Sequence, residues 1–470
     1  MAQFHQGGTV DTAHKPSMST MQILLMNVGF FGIQYSFGMQ QNAMSPIYQF
    51  LGASPDELPI LNLAGPVTGL LIQPLIGALS DRTWSDRWGR RKPFFLIGAI
   101  GCSVFLFLMP FVTAVWMAAL VLWLLDASNN TAMEPYRAFI ADRLPNNQLA
   151  KGFLAQSLFT GAGSALAAGT LAVLEKTLSG ATSAGIPYWV FGAFMVGCVC
   201  SIGSVLISVL STKELPPTPE ERVELEQKKR EEGTFGFVSD VVVAIKEMPR
   251  GLKKLSVVYL FQWYAMNIFW QYLGLMCAVT YFGVNLADSD YASTQAFQDA
   301  SGFATGLMVA YYLSCTVVAL FLARIANAVG PKHVHTAALV LAAVCLVLLT
   351  RIGSPDNTTI LYVPMLGIGI AWASIMGVPY IMATEMIRKE RQGVYMGVIN
   401  MMIVIPMLIQ TLTFGWIYKH VLGNHPTNAL MFAAAFLVIA GLLIQWIDVR
   451  KDADPLARTG VVETTPTAVA

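Results

Sequence analysis

The chain has 470 residues, of which 55% are hydrophobic and 12% are charged, and its formal net charge is +1. A soluble domain is typically about 25% charged, so this composition excludes an ordinary soluble protein. The near-neutral charge gives no electrostatic reason to expect a nucleic-acid partner. The six cysteines all fall in apolar segments, where neither a disulfide framework nor a metal site is expected.

Apolar stretches of about 20 residues, the length that crosses a bilayer core as a helix, recur along the chain. They predict an all-α membrane protein with twelve spans, at 21–50, 58–80, 93–113, 115–141, 152–175, 187–210, 255–283, 301–329, 333–352, 358–386, 392–419 and 427–448.

A polar segment divides these spans into two sets of six. The predicted organisation is an N-terminal tail (1–20), an N-terminal bundle (21–210), a central loop (211–254), a C-terminal bundle (255–448) and a C-terminal tail (449–470). Basic residues concentrate in the loops after spans 2, 6 and 10, so these loops and both termini are expected in the cytoplasm. The short tails and loops favour a bacterial inner membrane.

The two halves of the chain also share local patterns at a nearly constant offset. The matching pairs are Gly89 and Gly330, Pro135 and Pro379, and Gly152 and Gly393. Two parallel six-helix repeats with a solute site between them are typical of the major facilitator architecture. We therefore expect two pseudo-symmetric bundles.

The fourth span contains charges where lipid should surround the helix. Asp126 falls about 16 Å into this span, where a carboxylate is costly and usually functional. Arg137 follows eleven residues later on nearly the same face, with Asn130 between them. A carboxyl group removed from water is more readily protonated, whereas arginine keeps its proton. This stripe predicts a pathway for a polar solute and a proton.

The tenth span differs from the fourth at the corresponding positions. Ile370, Ser374 and Ile381 stand near the positions that match Asp126, Asn130 and Arg137. Proton chemistry is therefore expected in the N-terminal bundle.

The loop after span 2, GALSDRTWSDRWGRRKP (77–93), fits the loop signature of the major facilitator superfamily. We expect Asp81 to face the positive N-terminus of a neighbouring helix and nearby arginines, and so to hold the inner gate shut. An ordinary basic anchor loop is the alternative. The predicted gating residues are Asp81, Arg82, Gly89, Arg90, Arg91 and Asp142.

Longer strings carry a narrower resemblance. Spans 1, 2 and 11 contain GIQYSFGMQQNAMSPIYQFLG (32–52), AGPVTGLLIQPLIGALSDR (64–82) and GVINMMIVIP (397–406). With the polar residues of the fourth span, they are similar to the sucrose–proton symporters of plants and their animal and bacterial relatives, in the glycoside–cation symporter branch. This resemblance implies that Asp126 is the proton site and that Arg137 is essential for sugar transport. It implies no cofactor, with the proton as coupling ion.

Two departures leave the exact sugar open. Glu134 stands where the plant proteins are uncharged, and it could pair with Arg137 or act as a second proton carrier. The seventh span has QWYAMNIFWQY (262–272) in place of the aspartate-rich pattern of the plant proteins.

A disaccharide needs neutral hydrogen-bonding groups and a flat apolar face. Amides also join membrane helices to each other, so packing is the alternative role for each of them. The candidate sugar-binding residues are Arg137, Asn130, Gln40, Asn42, Gln73, Asn400, Gln262, Asn267 and Gln271, with Trp263, Trp270 and Trp372 as stacking partners.

The sequence as a whole predicts a monomeric, proton-coupled importer of sucrose or of maltose and other α-glucosides. A proton-driven exporter of amphiphilic compounds and a sodium-coupled glycoside carrier are the alternatives. A membrane enzyme is disfavoured, because the sequence offers no nucleophile–base pair. A histidine proton relay is not expected either, because His333 and His335 are assigned to a loop and the other histidines to tails or span ends.

Overall fold

A computed structural model describes residues 15–81, 83–216, 245–288, 290–387, 392–449 and 451–452. The regular structure of these residues is helical. The helices are α1 (Thr20–Asn27), α2 (Gly29–Phe50), α3 (Leu58–Leu61), α4 (Ala64–Asp81), α5 (Lys92–Leu108), α6 (Val115–Arg143), α7 (Asn146–Glu175), α8 (Tyr188–Ser211), α9 (Arg250–Tyr281), α10 (Gln295–Val329), α11 (Pro331–Leu349), α12 (Tyr362–Met386), α13 (Gln392–His420) and α14 (Pro426–Leu443).

These helices account for the twelve predicted spans. The first span consists of α1 and α2, which join at Val28, and the second consists of α3 and α4. Each of the other ten helices forms one span. The largest differences at a start are in α7 and α10, each of which begins six residues before its predicted start. The Thr294 hydroxyl accepts a hydrogen bond from the Phe297 amide (3.3 Å), an N-cap that fixes the true start of α10.

Nine helical segments of the described chain are long and apolar enough to cross a membrane by themselves. The three helices that fall below this hydropathy are α2, α6 and α9, although each has at least 22 residues. Many of their polar residues are buried against protein neighbours or line the cavity between the helices, as hydrocarbon requires. These three helices line the centre of the molecule.

The helices form two bundles. In the N-terminal bundle α2 packs on α7 and α8, and α6 packs on α4 and α5; in the C-terminal bundle α9 packs on α13 and α14, and α12 packs on α10 and α11. The bundles meet mainly along α7 with α10 and along α4 with α13. Met18 bonds to Gln148 at the start of α7, and Lys254 bonds to Asp452. We call this side of the molecule the terminal face, and the other side the opposite face.

Candidate functional site: the cavity between the bundles

A cavity of about 260 Å³ lies between the two bundles. Its wall combines amide side chains, one carboxyl group, one indole and several apolar side chains. The polar and aromatic residues of the wall are Gln40, Gln41, Ser45, Asn62, Gln73, Asp126, Asn130, Asn267, Trp270, Gln271 and Asn400, together with Phe37. Its volume and mixed lining suit a small polar ligand with an apolar face.

Asp126 is the carboxyl group of this wall and is only 1% exposed. Its Oδ2 accepts a hydrogen bond from Nδ2 of Asn130 (2.9 Å) and from the hydroxyl of Thr68. Asp126 forms no salt bridge within the described part of the chain. A buried carboxyl group without a cation partner is stabilised most simply by taking up a proton.

A chain of amides leads from Asp126 to the other bundle. Asn130 Oδ1 accepts from Gln73 Nε2 (2.6 Å), and Gln73 Oε1 accepts from Asn400 Nδ2 (3.1 Å). An ionised carboxylate can only accept hydrogen bonds, so it fixes the direction of every amide in this row. Because Asn400 belongs to α13, the row connects the acid of the N-terminal bundle to the C-terminal bundle.

The C-terminal bundle contributes an aromatic and amide wall. Trp270, Asn267 and Gln271 face the cavity from α9. Trp372 packs edge-on against Trp270 (ring centroids 5.2 Å apart) and Trp263 packs against Trp372 (5.5 Å). These two tryptophans hold the indole of Trp270 in place from behind.

The structure brings together eight of the predicted proton and sugar residues in one wall. They are Asp126, Asn130, Gln40, Gln73, Asn267, Trp270, Gln271 and Asn400. It places four others outside that wall: Asn42, Gln262, Trp263 and Trp372. Asn42 donates to the carbonyl oxygen of Gly38 (2.6 Å) and lines a smaller neighbouring cavity, and the two tryptophans are covered by each other and by Trp270.

The prediction that His335 lies in a loop is wrong. Pro331 begins α11, so His335 falls in the second turn of that helix and is fully buried. Its ring nitrogens lie 2.9 Å from Gln262 Oε1 and 3.2 Å from Ser374 Oγ. Gln262 therefore serves packing inside the C-terminal bundle, and none of these three residues lines the central cavity.

Glu134 and Arg137 lie beyond the cavity, toward the terminal face. Their closest charged atoms are 3.9 Å apart, and the side chains are 38% and 44% exposed. An ion pair at this distance between solvent-exposed side chains is weak, so it does not fix the position of Arg137. The stripe predicted from the sequence is therefore split into a buried acid and a solvated ion pair two to three turns away.

The loop after α4 is organised by an acid that the sequence reasoning missed. The Glu214 carboxylate accepts hydrogen bonds from the backbone amides of Arg90 (2.7 Å), Arg91 (2.9 Å) and Lys92 (2.8 Å) at the start of α5. Gly89 has φ +80°, and a Cβ there would lie 2.5 Å from the Glu214 carboxyl carbon. The turn at Gly89 and the hydrogen bonds of Glu214 to the start of α5 therefore depend on each other.

The predicted gating arginine Arg91 pairs with Asp142 (2.8 Å) and donates to Ser80 Oγ (2.6 Å). Both partners belong to the N-terminal bundle. Asp81 is the last residue of α4; its side chain and the whole of Arg82 lie outside the described residues. The gating role of these residues stays a prediction.

The bundles close on each other at the opposite face. Lys419 Nζ lies 3.1 Å from Asp56 Oδ2, and the Tyr272 hydroxyl donates to the Pro55 carbonyl oxygen (2.9 Å). At Gly415 a Cβ would lie 2.4 Å from the Asp56 carbonyl oxygen, so only glycine allows this approach. The described residues therefore join the two bundles at the opposite face, whereas Glu134 and Arg137, on the other side of the cavity, are exposed.

Comparison with known proteins agrees with this architecture. The family described as Major Facilitator Superfamily matches residues 26–411 and 291–467. The chain belongs to the Major Facilitator Superfamily. The predicted fold and the predicted class, a multi-pass membrane transporter rather than an enzyme, are thereby confirmed.

Relatives and solved structures are similar to this transporter over nearly its whole length. A sucrose transport protein of Oryza sativa subsp. indica is 25% identical and covers 88% of this chain and 84% of its own length. One of Arabidopsis thaliana is 24% identical and covers 86% of each. These similarities confirm the resemblance to plant sucrose transporters.

Among solved structures, the nucleoside transporter NupG, in a point-mutant form, has a TM-score of 0.68 at 15% identity and covers 91% of this chain and 99% of its own. A D-xylose–proton symporter has a TM-score of 0.61 at 14% identity and covers 91% and 97%. These structures share the fold of this transporter.

Proposed function

We propose that this transporter is a proton-coupled disaccharide importer, with sucrose as its first candidate substrate and maltose or another α-glucoside as the next. The observation that carries the proposal is the position of Asp126: buried, unpaired by any cation of the described chain, and in one wall with a row of amides. The similarity to sucrose transport proteins supports the choice of sugar.

The surroundings of Asp126 suit both protonation states. The ionised carboxylate accepts from Thr68 and Asn130. The neutral acid has a proton to donate, and Thr68 can accept it because its own hydroxyl proton can turn to the Ala64 carbonyl oxygen 2.8 Å away. Loading the proton therefore needs only the rotation of one hydroxyl group, while the helices keep their places.

The row of amides couples the proton to the sugar. When Asp126 is neutral, it no longer forces Asn130 to donate to it. The amides of Gln73 and Asn400 are then no longer restricted to one donor–acceptor orientation. These amides line the cavity, so a sugar hydroxyl can then bind to them in either direction. Proton binding thus favours sugar binding, and by linkage sugar binding favours the proton to the same extent.

The direction of transport follows from the proposed orientation of the protein in the membrane. With the terminal face in the cytoplasm of a bacterial inner membrane, the structure represents the inward-open state, in which the solute is released. Arg137, which is exposed beyond the cavity toward the terminal face, would favour loss of the proton from Asp126 by its fixed positive charge. The contacts at the opposite face must then open for the next sugar and proton.

Uptake of radiolabelled sucrose and maltose into proteoliposomes of fixed orientation tests the proposal. We expect accumulation when the outside is more acidic, with one sugar clearly preferred, and its collapse on adding a protonophore. A sodium gradient alone should drive none. Uptake that follows sodium would contradict proton coupling, and outward transport of amphiphilic dyes without sugar uptake would support the exporter alternative.

A further inference from the structure

Three amides of the C-terminal bundle form a row that ends in the cavity. Asn267 and Gln271 lie one turn apart on α9 and both line the cavity. Gln410, on α13 behind them, is fully buried and does not belong to the wall. Asn267 Nδ2 donates to Gln410 Oε1 (2.5 Å), and Gln410 Nε2 donates to Gln271 Oε1 (3.2 Å).

Gln410 imposes opposite directions on its two neighbours. A primary amide has one accepting end and one donating end, and Gln410 uses both. Asn267 must therefore donate to it while Gln271 accepts from it. If the oxygen and nitrogen of Gln410 were exchanged, both neighbours would turn as well, and their directions would still be opposite. This conclusion is independent of how each amide is oriented.

The ends that point away from Gln410 are available to a ligand. Asn267 is left with its accepting oxygen and Gln271 with its donating Nε2. That Nε2 is buried, and it has no hydrogen-bond partner within the described chain. Gln271 is only 6% exposed, so water cannot solvate this donor freely. A buried donor without a partner is satisfied when a ligand brings an acceptor.

We propose that Gln410 is a positioning residue that sets Asn267 and Gln271 as an acceptor–donor pair for two adjacent hydroxyl groups of the sugar. One hydroxyl donates to Asn267 and its neighbour accepts from Gln271. Trp270, between them in the sequence, offers the flat face of the same sugar ring a surface. The proposal rests on the proposed sugar transport and specifies which chemical feature of the sugar the C-terminal bundle recognises.

The test is a cycle of protein variants and deoxy sugars. In the unmodified transporter, removing one hydroxyl of the recognised pair from sucrose should raise KM about two- to tenfold, the effect of one lost hydrogen bond. In Gln410→Met, KM for sucrose should rise by a similar factor with kcat little changed. The same deoxygenation should then have almost no further effect, because the pair is no longer oriented.

Two further variants keep the test decisive. Thr411→Val is the control and should behave like the unmodified protein. Thr411 is nearly as buried as Gln410, but within the described chain its hydroxyl bonds only to the Met407 carbonyl oxygen (2.8 Å). Gln271→Leu removes the donor itself and should lose the same discrimination even if Gln410→Met fails to fold.

The outcomes separate the two proposals. If the unmodified protein takes up no sugar at all, the proposed function is wrong. If it transports sucrose and the deoxy penalty persists undiminished in Gln410→Met, or in Gln271→Leu where Gln410→Met does not fold, Gln410 does not orient a sugar-binding pair.

Discussion

The two bundles contribute opposite chemistry to one cavity. The N-terminal wall contains the carboxyl group of Asp126 and the amides that bond to it, whereas the C-terminal wall contains Trp270 and uncharged amides. The corresponding helices α6 and α12 differ in the same way. Asn130 on α6 enters the network of the cavity, but Ser374 on α12 bonds to His335 inside its own bundle. In the proposed mechanism, the two bundles therefore share a scaffold, while proton binding belongs to one wall and ring recognition to the other.

The largest expected effect comes from removing the acid of the N-terminal wall. With one proton per sugar, a gradient of two pH units supports about 100-fold accumulation. Asp126→Asn cannot take up a proton, so we expect sugar to reach only equal concentrations on the two sides. Exchange of internal for external sugar should continue, because it requires no net proton transfer. Both are measured with radiolabelled sucrose in proteoliposomes.

Glu134→Gln is the comparison variant for that experiment. Glu134 is solvated and lies outside the cavity, so its loss should leave accumulation driven by pH in place. If Glu134→Gln abolished accumulation while Asp126→Asn retained it, the proton carrier would be Glu134 instead of Asp126.

The next effect belongs to the C-terminal wall. Trp270→Leu removes the indole face while keeping an apolar side chain, and we expect KM for sucrose to rise about tenfold. The dependence of uptake on outer pH should keep its shape, because the proton site is in the other wall. A change in the pH profile without a change in KM would contradict this division. Phe191→Leu, a change at an aromatic residue outside the cavity wall, is the control.

A smaller effect is expected where the walls are joined. Gln73→Leu breaks the row between Asn130 and Asn400. One lost hydrogen bond corresponds to roughly a two- to tenfold change. We expect the number of protons taken up per sugar to decrease by a factor within this range. Proton uptake is measured with a pH-sensitive dye and sugar uptake with the radiolabel. Gln148→Leu, at the terminal face, should leave the ratio unchanged; an unchanged ratio in Gln73→Leu would show that the row is not needed for coupling.

The sequence was sufficient for the scaffold and for the acid. Long apolar segments must form helices in lipid, and Asp126 stood out because a charge there is costly. It was not sufficient for the partners of buried polar groups. Gln262 and Gln271 lie on one helix and look alike in sequence, yet one bonds to His335 on α11 and the other faces the cavity. Only the packing of other helices decides between them.

The missed residues had weak signals of their own. Thr68 bonds to the carbonyl oxygen four residues before it, as threonines in membrane helices commonly do, and this hid its contact with Asp126. Gln410 is the only amide side chain between Asn400 and Asn424 and could have been singled out on that ground. Glu214 precedes a highly charged loop, where one more acid has no distinguishing pattern.

The smallest expected effect tests whether pH acts on the cavity or on the closure between the bundles. The Asp56–Lys419 pair holds the opposite face closed, but the lysine is 55% exposed, so its contribution is about 1 kcal/mol at most. The measurement is the labelling of a cysteine introduced at Asn62 by an impermeant reagent applied from the opposite face. Lys419→Met should increase this labelling by up to about fivefold. Lys176→Met, at the same face, should have no effect.

The pH dependence of that labelling has a defined sign. Partial burial alone would raise the pKa of Asp56, but hydrogen bonds from Ser54 and Lys419 and the lysine charge hold it below its usual value. The pair therefore stabilises the closed face fully above the ordinary pKa of an aspartate, about 4, and loses this contribution only as the pH falls through the lower value. The difference between Lys419→Met and the unmodified protein should be constant above about pH 5. A difference that disappeared near neutral pH would make this outer pair, rather than Asp126 alone, part of the proton response.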